Sequence, residues 1–292
     1  MTIVVTGATG NVGAAVVREL HERGAPVRAF VRDPTRAHEV LPEGVEVALG
    51  DFDDPPSVRR ALAGADRVFL SSADGPHKVT HETTVIEAAR AAGVGLVVKA
   101  STWFADAGSA LPGLAWNGRI EERLRASGVP AVALRSSFYV TNLLATADQV
   151  RATARLLAPA GDGSVAAIDP RDVGAVGAAV LTSRGHEGRS YVLTGPAAVT
   201  YAEIADALSA ATGGPVEYVD VPPAAAHGAF AQAGMPDWLI GQLDGVFELI
   251  RRGRFAPTTD AVRVLTGREP RTFARFAREH AAAFGAVKHR AR

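Results

Sequence analysis

Cysteine is absent from the 292 residues. That excludes disulfides, thiolate zinc sites, iron–sulfur clusters and a cysteine nucleophile, and it accords with a reducing, cytoplasmic setting. Net charge is absent too, because 31 Lys and Arg balance 31 Asp and Glu. A balanced chain offers no electrostatic footprint for nucleic acid or an anionic membrane. No apolar run approaches the roughly 18 residues of a membrane span. The start, Met1-Thr2-Ile3-Val4-Val5, has no basic leader. Lysine is scarce, occurring only at Lys78, Lys99 and Lys288. With so much arginine and alanine, the composition points to a GC-rich bacterial genome. His77 and His81 lack metal-ligand spacing and read as a helix face, so no metal is expected.

What is present suits a globular chain. At roughly 150 residues per domain the length fits one large or two modest domains. Apolar residues make up 47% and charged residues 21%, enough for a sizeable core. The first half alternates β-rich runs (3–5, 27–31, 45–49, 67–70, 96–98, 131–134) with stretches of helical apolar spacing (12–23, 56–63, 80–92, 117–127). The runs are continuously apolar, the pattern of a parallel sheet covered on both faces. Repeated βα units predict an α/β fold, a Rossmann-like doubly wound sheet over 1–150. Beyond residue 150 strands are expected at 165–168, 191–193 and 217–219. Helices are expected at 171–181 and from Thr200, where Glu203 completes a capping box. Residues 151–292 read as a smaller, mainly helical substrate lobe on the carboxyl edge of the sheet.

The strongest signal is Thr6-Gly7-Ala8-Thr9-Gly10-Asn11-Val12-Gly13 between the first strand and the first helix. Gly7 suits the tight turn past which Thr9 runs, Gly10 admits a pyrophosphate, and Gly13 lets the helix pack closely. Asn11 and Val12 open the helix, whose bare N–H groups suit phosphates. A dinucleotide site is expected. An acidic residue after the second strand serves the ribose of NAD, and an arginine serves the 2′-phosphate of NADP. Arg32, with Arg36 near it, favours NADP(H). Asp33 keeps NAD(H) possible. Asp51 and Phe52 follow the third strand, where they can meet the adenine, although Phe52 also suits a core. Ser71 and Ser72 follow the fourth strand, beside the expected nicotinamide ribose. Lys99 lies inside the fifth strand, where an inward ammonium needs a cofactor or a carboxylate.

These markers resemble the NmrA-like, atypical short-chain dehydrogenase/reductase family. They are Val5 to Gly10 with Gly13, Val31-Arg32-Asp33-Pro34, Gly50-Asp51-Phe52, Leu134 to Phe138 with Asn142, and Ile168 to Val173. The chain looks most like bacterial quinone reductases and triphenylmethane-dye reductases. The resemblance implies an oxidoreductase with a nicotinamide cofactor, and Phe138 among its contacts. It also implies a quinone-like or polycyclic aromatic substrate. Ordinary members of the wider superfamily carry a Tyr-x-x-x-Lys pair, followed by Glu-x-x-Leu. Here Glu121-Glu122-Arg123-Leu124 is present, but Asn117 stands where the lysine belongs and Gly113 where the tyrosine belongs. No other lysine or tyrosine lies between Lys99 and Tyr139.

Hydride delivered to an unactivated ketone needs a proton donor in the transition state. A quinone or a dye cation does not. The missing pair therefore fits reduction of a conjugated acceptor. It also fits net oxygenation through an oxygen-reactive hydroquinone, or a protein that senses NADP(H) without turnover. Ser101 and Asn117 are the remaining candidates for catalysis, Asn117 as a donor to a developing oxyanion or as a helix cap. Trp103, Phe104, Trp116 and Tyr139 are candidates for an aromatic substrate pocket. Asp169 and Asp172 read as scaffold.

Overall fold

Short runs of Val, Ile, Leu and Phe, each bounded by turn residues, become the strands of one parallel sheet. The computed structural model describes residues 1–285. Its elements begin β1 (Ile3–Val5), α1 (Asn11–Glu22), β2 (Val27–Val31), α2 (Pro34–Val40), β3 (Glu46–Leu49), α3 (Pro55–Leu62), β4 (Arg67–Leu70), α4 (Lys78–Ala91), β5 (Leu96–Thr102), α5 (Pro112–Ala126) and β6 (Ala131–Ser136). The sheet order is β3-β2-β1-β4-β5-β6, followed by strand Ser190–Leu193, all parallel. Sequence order reverses between β1 and β4. Such a reversal opens a crevice at the carboxyl ends of the strands.

The division expected at residue 150 is replaced by an interleaved one. The first unit is Met1–Ser136, Pro170–Leu193 and Ala261–Arg268; the second is Ser137–Asp169, Thr194–Asp260 and Glu269–Arg292. The reason is burial. Helix Pro170–Thr182 is apolar almost all round and lies over β4, β5 and β6. Strand Ser190–Leu193 adds to β6 with Leu134 opposite Tyr191. Both therefore belong to the sheet rather than to a lobe beside it.

Within the first unit, α3, α4 and α5 cover one face over Val4, Phe30, Val68, Leu70 and Val97. On the other face α1 crosses helix Pro170–Thr182. That crossing is close because Gly174 has no side chain; a Cβ there would stand 2.4 Å from Cβ of Ala15. Within the second unit, Arg155–Ala158 pairs with Glu217–Asp220 and Ser164–Val165 with Val199–Thr200. The expected strand over 165–168 shrinks to Ser164–Val165, with Ile168 in an isolated bridge to Tyr139. Thr200 and Glu203 form the expected capping box.

Overpacking a tight contact costs about 1–3 kcal/mol, so Gly174→Ala should lower stability by that amount in urea unfolding. Gly241, exposed in helix Asp237–Arg251, has open space around its Cβ position. Gly241→Ala should instead gain about 0.5–1 kcal/mol from helix propensity. Equal effects of the two substitutions would contradict the packing account.

Candidate active site

The turn after β1 is built from close backbone contacts. Gly7 has φ +60°, and a Cβ on it would lie 2.8 Å from the carbonyl oxygen of Ser71. Gly13 packs onto the turn itself rather than the sheet: its Cβ would stand 2.1 Å from the Gly7 carbonyl oxygen. Gly10 is different. It is exposed, has φ −82°, and a Cβ would meet only the Gly7 oxygen, at 3.3 Å. Gly10 caps α1 with no side-chain acceptor on the first-turn N–H groups. Thr9 borders the turn, and Asn11 and Val12 open the helix. An uncapped helix start with open space before it suits a phosphate. Thr6 binds the two loops of the crevice together. Its Oγ1 donates to the Ser71 carbonyl at 2.8 Å and accepts from the Ser71 N–H at 2.9 Å.

The end of β2 separates the candidates for the ribose. Asp33 caps α2, a helix the sequence reading omits, accepting the N–H groups of Thr35 at 2.9 Å and Arg36 at 3.2 Å. Its carboxylate is thereby engaged. Arg36 pairs with Glu39 at 3.2 Å. Arg32 is 83% exposed and meets Asp51 only at 3.9 Å, so its guanidinium can turn toward a ligand.

Phe52 is partly buried, edge-on to Phe30 with centroids 5.4 Å apart. Its ring stacks on His81 at 5.4 Å, and His81 stacks on His77 at 5.8 Å. His81 Nε2 lies 2.9 Å from Oδ1 of Asp53. The two histidines therefore extend the Phe52 ring into a column.

A buried charge cluster lies between β5, α4 and α5. Ser72 Oγ donates to Oε1 of Glu82 at 2.9 Å, and Lys78 Nζ donates to the Ser72 carbonyl at 3.1 Å. Glu82 has no exposed surface and lies 3.1 Å from both Lys78 and Lys99. Lys99 is fully buried; its Nζ donates to Oδ1 of Asn117 at 2.9 Å and to the Ala100 carbonyl. Asn117 Nδ2 donates to the Gly113 carbonyl at 2.8 Å. Burial pushes the Lys99 ammonium down to about 8, against the pull of Glu82 and with the push of Lys78. Burial opposes the charge of Lys78 too, but Glu82 and Asp74 together hold it above the usual lysine range.

The structure supplies the partners of three of these residues. Lys99, expected to meet a cofactor or a carboxylate, pairs with Glu82 and hydrogen-bonds Asn117. Asn117 is no helix cap: Pro112 starts α5 five positions earlier, as proline suits a first turn. Ser101 is buried and donates to Oε1 of Glu121 at 2.5 Å, while Arg135 grips both oxygens of that carboxylate. Its hydroxyl braces β5 against α5. Lys78 and Glu82 are residues the sequence reading passed over. A Lys–Glu pair four apart reads as a solvated helix face, and the signal was that two of the chain's three lysines converge there.

Trp103 and Phe104 stack with centroids 4.9 Å apart, and Phe104 has φ 62°, a left-handed conformation uncommon for a bulky residue. Trp116 sits half-buried one position before Asn117. Phe138 and Tyr139 belong to the second unit, where Ile168 pairs with both ends of the segment: its N–H bonds the Phe138 carbonyl at 2.8 Å and its carbonyl the Val140 N–H at 3.0 Å. Among the described residues no cluster of three or more His, Asp or Glu could hold a metal ion, and no helix is long and apolar enough to cross a membrane.

Known proteins share this architecture. The NmrA-like family matches residues 1–269. An NAD(P)H azoreductase of Xenophilus azovorans is 39% identical over 285 residues, 98% of this chain and 100% of that protein. The structure of an Escherichia coli NADPH-dependent quinone oxidoreductase complexed with NADPH aligns with TM-score 0.86 and 30% identity, covering 95% of this chain and 99% of that one. Citrobacter sp. triphenylmethane reductase complexed with NADP(H) aligns with TM-score 0.84 and 26% identity, covering 96% and 99%.

The open Gly10 position sets a direct test. Gly10→Val should keep the melting temperature near that of the parent protein yet weaken dinucleotide binding by at least about a hundredfold, since the added atoms take the space of a phosphate. Titration of cofactor fluorescence beside a thermal melt reads both. Normal binding by the folded variant would make the segment a turn and nothing more.

Proposed function

The chain belongs to the NmrA-like family, and from that premise we propose that it is an NADPH-dependent reductase of quinone-like and other conjugated aromatic acceptors. One observation carries the choice of acceptor: the helix that would bear an acid presents Asn117, held by Lys99, and the chain has no tyrosine before Tyr139.

The residues fit the cofactor. The uncapped start of α1 from Gly10 to Val12 holds the phosphates. Arg32 takes the 2′-phosphate, since Asp33 is spent on α2. Asp51 and Phe52 bound the adenine side, and Ser71 and Ser72 the nicotinamide ribose. When bound, the reduced nicotinamide supplies a hydride to the acceptor. The protein's part is to bind, orient and stabilise charge. Asn117 has one N–H on the Gly113 carbonyl and a second left to donate to an acceptor oxygen that gains charge. A neutral amide cannot deliver a proton. A quinone becomes a phenolate-like anion and a dye cation a neutral product, so neither needs a strong acid at this point. Trp103, Phe104 and Trp116 offer flat apolar faces to such a ring.

Two measurements test this reading. Arg32→Ala should weaken NADPH binding roughly tenfold, the worth of an exposed charge-assisted contact of about 1.5 kcal/mol, while leaving NADH binding unchanged. Equal affinity of the parent protein for both cofactors would exclude the role of Arg32. In steady-state assays, NADPH oxidation should occur with quinones, azo dyes or triphenylmethane dyes and not with aliphatic ketones. Asn117→Ala should slow it about tenfold, below the 10²–10⁴-fold typical of a lost acid. Rapid reduction of an aliphatic ketone would sink the proposal, and tight NADPH binding with no turnover of any acceptor would make the protein a sensor.

A further inference from the structure

The Lys99 ammonium faces three oxygens. It hydrogen-bonds the Ala100 carbonyl and Oδ1 of Asn117, and it ion-pairs with Oε2 of Glu82, which has no directed hydrogen bond of its own. A charged lysine has three N–H groups and no lone pair, so it can face three acceptors together. A neutral amine has two N–H groups and one lone pair. One of the three oxygens must then give way to a donor.

Only one of them can. The Ala100 carbonyl is part of β5, which is laddered to β4 and β6. Glu82 is tied to Ser72 and paired with Lys78, and a carboxylate donates nothing. The Asn117 amide can turn half a revolution and set Nδ2 against the lone pair. The turn withdraws Nδ2 from the Gly113 carbonyl and reverses which end of the amide faces its surroundings.

We propose that Lys99 is a positioning residue whose ammonium, anchored by Glu82, holds the Asn117 amide with Nδ2 as donor to the substrate, and that loss of the Lys99 proton inverts this amide. The proposal rests on the reductase reading for the substrate contact alone; the inversion is a property of the protein by itself. The charged groups around Lys99 are Glu82 and Lys78 from α4 and Asp74 from the loop before it. From α5 the facing group is the neutral Asn117, and the strand neighbours in register are Leu70 and Ala133. Glu121, on the same helix as Asn117, is engaged by Ser101 and Arg135. Burial and Lys78 favour the neutral amine and Glu82 opposes it, which places the change near pH 8. Below that pH the donor is set; above it the donor is lost.

The test begins without substrate. In the cofactor-free protein the side-chain amide resonances of Asn117, identified by their loss in Asn117→Ala, are followed by NMR from about pH 6 to about pH 11.5, a span that brackets an ordinary lysine and a depressed one. One step is expected with a midpoint near 8. Lys99→Met leaves Glu82 beside one cation fewer and can fail to fold, so the paired variant Lys99→Met/Glu82→Gln, with both charges gone, is measured as well; it should show no step. With a quinone, kcat should fall about tenfold through the same pH, as for loss of one hydrogen bond to a charged oxygen. KM should hold, and the Asn117→Ala rate should be low and flat. Asn117 resonances that stay still, or that step equally in the paired variant, would overturn the proposal. A step in the resonances with no turnover of any acceptor would uphold the inversion and overturn the reductase reading instead.

Discussion

Glu82 is the group on which the site depends. A carboxylate with no exposed surface is costly to bury alone, and so is each lysine beside it. The two ammoniums and the Glu82 carboxylate leave one positive charge, which Asp74 at the surface end balances by pairing with Lys78 at 3.1 Å. The cluster also joins three separate parts of the chain. Through Ser72 it holds the loop after β4, through Lys99 it reaches the interior of β5, and through Asn117 it reaches α5. Removing Glu82 would leave two buried cations facing each other. A buried ionic cluster is weak evidence for stability; here its hydrogen bonds hold Ser72 and Asn117 in place. Those are the loop and the amide on which cofactor and substrate chemistry would rest.

A second constraint acts at the reversal of strand order. The turn after β1 and the loop after β4 diverge there, and Thr6 ties them with two hydrogen bonds to Ser71. Gly7 and Gly13 allow the approach. A side chain on Gly7 would strike the Ser71 carbonyl, and one on Gly13 would strike the turn. These two glycines make the crevice, and Gly10 leaves it open. The three glycines of one motif thus do different physical work, and what the spacing does not reveal is that Gly13 packs on the turn rather than the sheet.

Much of the first unit was legible because its determinants are local. Continuous apolar runs marked β1, β2 and β4 to the residue, since a strand buried on both faces admits little else. Glycine and proline marked the turns. The misses have equally local reasons. Helix α2 is seven residues long and starts at an Asp-Pro pair that was read as ribose chemistry, although Asp33 serves as its cap. Helix α5 begins at Pro112, five residues before the apolar spacing that marks it from Asn117.

The partners of residues distant in sequence were another matter. Periodicity says that position 99 is in a strand and position 82 on a helix; it does not say that they meet. Lys99 read as needing either a cofactor or a carboxylate, and packing alone chose Glu82 and Asn117. Ser101 reads as a candidate for catalysis, and only packing brings Glu121 of α5 to its hydroxyl. Helix Pro170–Thr182 and strand Ser190–Leu193 were recognised as elements, yet their membership of the first unit followed from which apolar surface was left to cover. The sequence by itself determined most of the element types, the glycine turn after β1 and the absence of any tyrosine before Tyr139, because each is written in neighbouring residues. Only the tertiary structure decided which charges are buried together and which amide they orient, because those contacts depend on how separate elements pack.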